Sequence, residues 1–228
     1  RFPDGESRVR VANPASTALL FRSLDDPNAR LVEVLLAASA LRDSGASRVV
    51  LVAPYLCYMR QDIAFHPGEA VSQRVIGALL ASHFDALLTV DPHLHRVASL
   101  GEVMPEIAAV VVSAKSLLAQ SLDTRTRPVL VGPDSESRQW VSGIASAAGL
   151  EVLVGEKCRH GDRAVTIEFE GIECYTGRHF VLVDDVIASG ETLAQAARLL
   201  HQASALRVDV LATHCLAGTK DLERLREA

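Results

Sequence analysis

Short apolar runs rich in Val, Ile and Leu alternate along this chain with stretches of helical period, and few folds accept that alternation. Residues 19–23 and 49–53 read as buried strands, with an amphipathic helix over 30–42 between them and Gly45 as its C-terminal cap. A second helix is expected over 72–82 with Ser72 as N-cap, followed by strands at 86–90 and 109–112. The pattern then restarts with a strand at 129–132, a helix at 137–148 and a strand at 152–154. After a polar stretch come a strand at 180–183, a helix at 192–201 and a strand at 208–213. Continuous apolar strands separated by helices pack as parallel sheets covered on both faces. Two consecutive sets predict an α/β protein with halves 1–126 and 127–228, joined near Asp123 to Pro128. In such sheets ligands sit beyond the C-terminal ends of the strands. The strand ends are therefore where chemistry is sought.

Composition narrows the class. The chain has 228 residues, 22% of them charged, with no low-complexity tract, which fits an ordinary globular protein. A net charge of −5 argues against a nucleic-acid surface. No apolar run approaches the roughly eighteen residues of a membrane span, and no basic segment followed by an apolar core opens the chain. Neither a membrane nor a secretory leader is expected. The four cysteines, Cys57, Cys158, Cys174 and Cys215, lack zinc or redox spacing and read as free thiols in a reducing cytoplasm. Cys158 lies between two cations, which favours its thiolate, yet an incidental thiol is the simpler reading.

The strongest motif runs from Val181 to Thr192, an apolar strand ending in Asp184-Asp185, then an Ala-Ser-Gly-Glu-Thr loop that opens a helix. Backbone N–H groups at a helix start, with two hydroxyls, hold a phosphate without any lysine. Gly190 lets the backbone approach closely. Paired carboxylates at a strand end accept bonds from a sugar diol or hold a divalent cation. A sugar phosphate satisfies both halves of the motif. Two Asp residues and a Ser-Gly turn that merely cap a helix are the bland alternative.

This segment resembles the phosphoribosyl-diphosphate loop shared by type I phosphoribosyltransferases and ribose-phosphate diphosphokinases. Two departures stand out: Ala188 replaces a usual acidic residue, and Glu191 stands where a small one is common. Further segments resemble the diphosphokinases alone. Arg1 to Glu6 is similar to their ATP-base segment, which implies adenine contacts from Phe2, Asp4 and Glu6. Pro54 to Asp62 is similar to a Pro-Tyr…Arg-Gln-Asp segment, implying ATP binding by Arg60 and Gln61, although Ile63 replaces a common basic residue. His93 matches a histidine beside the metal and phosphates, and Asp134 an aspartate that helps hold Mg²⁺. After Asp134, Ser135-Glu136-Ser137 replaces a common Gly-Gly. Lys157-Cys158-Arg159 resembles the start of a flexible catalytic loop.

The resemblance implies two phosphoribosyltransferase-like domains, each a mainly parallel sheet flanked by helices, with further residues at both ends. It also implies an activity. The anomeric hydroxyl of ribose 5-phosphate attacks the β-phosphorus of Mg²⁺-bound ATP, and Lys157, Arg159 and His93 serve catalysis. Asp184 and Asp185 hold ribose hydroxyls, while Ser189, Gly190 and Thr192 hold the 5-phosphate. His93 and Asp134 serve the metal. A homo-oligomer follows, with the ATP site at a subunit interface. Two rivals stay open: a phosphoribosyltransferase, which has no use for the ATP segments, and a non-catalytic regulatory paralogue.

Overall fold

The computed structural model describes residues 1–12, 15–160 and 164–228, and for 158–160, 164 and 165 the backbone alone. The chain forms two compact units, Arg1–Ser113 and Ala114–Ala228. Among the described residues no helix is long and apolar enough to cross a membrane.

In the first unit the elements run β1 (Thr17–Phe21), α1 (Pro27–Asp43), β2 (Arg48–Ala53), α2 (Ser72–Ala81), β3 (Ala86–Val90), α3 (Leu100–Val103) and β4 (Ala108–Val112). The strands form one parallel sheet in the order β1-β2-β3-β4. Val49, Leu51, Ala53 and Leu87 point from it into a core shared with Leu31 and Val34 of α1, Leu80 of α2 and Leu100 of α3. Each such side chain contributes about 1.5–3 kcal/mol on burial. Gly45 follows the α1 cap residue Ser44 in the left-handed region (φ 100°), and its N–H donates to the Arg42 carbonyl at 2.9 Å, so it ends the helix as expected. Ser72 does not cap α2. Val71 takes that place, and the Ser72 hydroxyl instead donates to Oε1 of Gln61.

The second unit holds α4 (Lys115–Ser121), β5 (Val129–Gly132), α5 (Arg138–Ala148), β6 (Val152–Val154), β7 (Glu156–His160), β8 (Ala164–Glu168), β9 (His179–Ile187), α6 (Glu191–Gln202), β10 (Arg207–Cys215) and α7 (Thr219–Arg226). Its main sheet is parallel in the order β10-β9-β5-β6, and β7 with β8 forms an antiparallel hairpin. Side chains alternate between two cores. Val129, Val131, Phe180 and Leu182 meet Leu193, Ala197 and Leu200 of α6 on one face. Leu130, Val181 and Val183 meet Val141, Ile144 and Ala145 of α5 on the other. The break between units falls at Ser113, ahead of the stretch 123–128. Helix α4 packs on α5, where the Lys115 ammonium lies 4.6 Å over the Trp140 ring.

Candidate active site

Strand β9 carries the paired carboxylates inside its length. It runs to Ile187 beside β10 but leaves β5 after the Val131–Leu182 pairing. Asp184 and Asp185 thus continue past the end of β5, next to the segment that holds Asp134. The cluster is half-buried and anionic. Burial pushes the Asp184 carboxyl up to about 7, and the neighbouring charges of Asp185 and Asp134 act in the same direction. One Asp184 oxygen accepts the Asp185 backbone N–H at 2.9 Å, which fixes its orientation.

Asp134 is held by its own turn. Its Oδ1 accepts from the backbone N–H groups of Glu136 (3.1 Å) and Ser137 (3.2 Å), at the short turn leading into α5. Ser135-Glu136-Ser137 therefore replaces the expected glycines with a capping box, because the Ser137 hydroxyl answers the Asp134 backbone. The other Asp134 oxygen meets Lys157 Nζ at 2.5 Å. Lys157 stands on β7, so the expected catalytic loop begins as a strand of the hairpin. Gly155 allows that hairpin to approach, since a Cβ there would lie 2.7 Å from the Pro133 carbonyl. Arg159 lies on β7, and its side chain falls outside the described residues.

After Ile187 the chain turns through Ala188 and Ser189. Gly190 then caps α6 in the left-handed region (φ 70°). Thr192 stands in the first turn of α6, whose N-terminus lies where the sequence leads one to expect a phosphate. Helix α7 supplies a brace that sequence reading missed. Arg224 donates to the Ser189 carbonyl at 2.7 Å and lies 3.5 Å from Glu191, which Arg198 also approaches at 3.6 Å. The two guanidiniums offset the Glu191 charge beside the expected phosphate position. The signal available was the Leu-Glu-Arg-Leu-Arg pattern after Gly218.

In the first unit Phe2, Asp4 and Glu6 form one tight turn. The Phe2 N–H donates to the Glu6 carbonyl (2.8 Å), and the Glu6 N–H donates to Asp4 Oδ1 (3.1 Å). Phe2 is exposed, as a stacking face requires. Arg60 follows β2, is exposed, and makes no hydrogen bond or ion pair among the described residues. Gln61 is engaged by Ser72 and, at 3.4 Å, by Glu69. Among the described residues no hydrogen bond or ion pair links Phe2, Asp4 or Glu6 with Arg60 or Gln61. His93 follows β3 with its ring against His95. Two residues of these loops adopt the left-handed region without being glycine, Tyr58 (φ 60°) and Asp91 (φ 39°). Such backbone costs about 1–3 kcal/mol each and collects at functional loops.

Among the described residues no three His, Cys, Asp or Glu side chains converge as a ready metal cage. Mg²⁺ does not need one, since it keeps several waters and takes one or two carboxylates together with substrate phosphates. Asp134, with one oxygen committed to its turn and one facing outward to Lys157, fits that demand. Cys57 is buried, and its thiol is pushed up to about 12, which removes it as a nucleophile.

A short turn that opens a helix after a carboxylate pair, on a doubly covered parallel sheet, defines a phosphoribosyltransferase-type domain. Residues 105–225 match the phosphoribosyl transferase domain family, and residues 1–83 match the N-terminal domain of ribose phosphate pyrophosphokinase. The ribose-phosphate pyrophosphokinase of Methanopyrus kandleri is 34% identical over 99% of this chain and 77% of its own length. That of Halobacterium salinarum is 36% identical over 99% of this chain and 79% of its own. The crystal structure of phosphoribosylpyrophosphate synthetase from Mycobacterium smegmatis superposes with a TM-score of 0.82 at 26% identity, over 99% of this chain and 74% of that one. The chain belongs to the ribose-phosphate pyrophosphokinase family.

Proposed function

We propose that this chain transfers the β,γ-diphosphoryl group of ATP to the anomeric hydroxyl of ribose 5-phosphate, giving 5-phosphoribosyl 1-diphosphate and AMP. The observation that carries this reading is the Lys157–Asp134 contact at the end of β5, beside the Asp184–Asp185 pair that leads into the phosphate loop. Asp184 and Asp185 accept from ribose hydroxyls. The N–H groups and hydroxyls of Ser189, Gly190 and Thr192 hold the 5-phosphate, and Arg224 keeps the loop in place through Ser189. With the sugar fixed at both ends, its anomeric oxygen meets the β-phosphorus in line.

Lys157 leaves Asp134 and neutralises charge that builds on the transferred group, and Arg159 acts beside it. Phe2 stacks on adenine while Asp4 and Glu6 accept from its amine. Arg60 binds polyphosphate, and Gln61 turns from Ser72 to the base. Enzymes of this class need a divalent metal. Mg²⁺ would be held through Asp134 in the second unit, and His93 in the first would serve the metal-bound phosphates of ATP; when bound the ion supplies positive charge to the diphosphate. The enzyme works as a homo-oligomer with its ATP site completed by a neighbouring subunit. A reducing cytoplasm suits its thiols. The test is AMP formation by the purified chain, which must require both ATP and ribose 5-phosphate; AMP released with ATP alone, or none at all, overturns the reading.

A further inference from the structure

Asp62 and Arg96 form an ion pair that the reaction above does not use. The Asp62 side chain is 2% exposed, and its Oδ1 takes a bond from Arg96 at 2.6 Å. Its Oδ2 is buried with no partner among the described residues. As a stabilising device this pair is poor. Desolvating a carboxylate costs several kcal/mol, and a single bond that leaves the second oxygen unanswered does not recover it. The arrangement does something else well, because it holds one end of a guanidinium still. Arg96 remains 52% exposed, and among the described residues that one bond is its only polar contact.

Its place in the fold gives that fixed cation a use. Asp62 follows Arg60 and Gln61 in the loop after β2, and Arg96 follows His93 in the loop after β3. Strands β2 and β3 are parallel neighbours, so the two loops leave the same edge of the sheet. Each loop brings a single Lys or Arg, Arg60 in the first and Arg96 in the second, and the first unit has no lysine at all. Ile63, next to Asp62, offers no charge. A nucleotide polyphosphate seated at this edge has few cations to meet.

We infer that Arg96 is a further polyphosphate-binding residue of the ATP site and that buried Asp62 is the positioning residue that aims it. The inference rests on reading this edge as the ATP side. A guanidinium with its remaining donors turned to solvent suits phosphate oxygens, and a fixed one loses less freedom on binding than a loose side chain.

The test is calorimetric binding of ATP, inorganic tripolyphosphate and adenosine to the full chain with Mg²⁺, alongside steady-state kinetics. Arg96→Gln removes the charge while keeping a side-chain N–H donor, and the double variant Asp62→Asn with Arg96→Gln, which leaves no unpaired buried carboxylate, separates a binding defect from a folding defect. It should weaken ATP and tripolyphosphate by roughly 10- to 100-fold, leave adenosine unchanged and leave KM for ribose 5-phosphate unchanged. Asp62→Asn should weaken ATP by about 3- to 10-fold with the same lack of effect on adenosine, a selectivity that mere loosening of the loop would not produce. If the wild type makes AMP and Arg96→Gln binds ATP and tripolyphosphate normally, the inference fails alone. If the wild type makes no AMP yet loses tripolyphosphate on Arg96→Gln, the proposed reaction fails and this site stands. Absence of tripolyphosphate and ATP binding in the wild type overturns both.

Discussion

In the second unit Leu182 and Val183 point to opposite faces of β9 and both are fully buried, whereas on β1 of the first unit Leu19 and Phe21 stand 71% and 70% exposed. Both strands read alike as sequence. The second sheet has α5 on one face and α6 on the other. In the first, α1, α2 and α3 pack on the face of Val49 and Leu51. Leu19 and Phe21 share the opposite face with Val110 and Val112, which are also exposed. Coverage decides what the strand ends can do. Between two cores, Asp184 is desolvated and its acidity altered. At the open sheet, the expected site residues sit on exposed loops, pinned by bonds such as Ser72 to Gln61 and Arg96 to Asp62.

The largest effect should come from the buried side of this comparison. Lys157→Ala removes a cation that already faces the anionic cluster, and turnover should fall by ~10²–10³-fold. KM for ribose 5-phosphate should barely move, because the interaction belongs to the transition state. Near-normal turnover in a full kinetic analysis would remove Lys157 from the mechanism.

Next in size is a pair of truncations that tests the coverage itself. Leu182→Ala opens a cavity between β9 and α6 and should cost about 2–5 kcal/mol in urea unfolding. Phe21→Ala should cost within ~0.5 kcal/mol, because the ring has little to lose. A Phe21 cost approaching that of Leu182 would mean that the first sheet is covered in solution.

Most of the strand–helix order was legible, because period and apolar runs report local packing directly. Strand 129–132 and helix 137–148 match β5 and the turn with α5. The turn after β9 was legible too, since Gly190 and the following amphipathic helix carry its geometry in local sequence. Three things were not. The β7–β8 hairpin was missed, although Ala164–Glu168 alternates as a strand should. The extension of β9 to Ile187 was hidden because Asp184-Asp185 reads as a stop, while the pairing with β10 carries the strand onward. The bonds of Arg96 to Asp62 and of Arg224 to the Ser189 carbonyl join residues 34 and 35 positions apart, and such partners follow from the fold, not from spacing.

A smaller effect separates binding from stability at Asp184. Its carboxyl is raised from 3.8 to about 7, so between those values the folded chain holds a proton that the unfolded chain has released. Stability therefore falls as pH rises through this window and levels off above about 7. Asp184→Asn should be neutral near pH 4 and gain on the order of 2 kcal/mol at pH 8, with weakened ribose 5-phosphate binding. Equal melting shifts at both pH values would contradict the buried, proton-sharing character of the pair.

The smallest effect, and the finest probe of the buried half, concerns Ala188. It lies between Ile187, the last residue of β9, and Ser189, whose carbonyl accepts from Arg224 at 2.7 Å. A carboxylate placed there meets opposing influences. Asp184 and Asp185 repel it, while Arg224 attracts it and already offsets Glu191 at 3.5 Å. If the loop holds ribose 5-phosphate through hydroxyls on one side and phosphate on the other, an aspartate at 188 gains a charge-assisted bond from a sugar hydroxyl. That bond is worth about 1.5 kcal/mol, so Ala188→Asp should lower KM for ribose 5-phosphate roughly tenfold at saturating ATP. The KM for ATP should stay where it was, since no expected ATP contact lies on this loop. An unchanged or raised KM for the sugar phosphate would mean that the repulsion wins and that Ser189, Gly190 and Thr192 grip their ligand in another orientation.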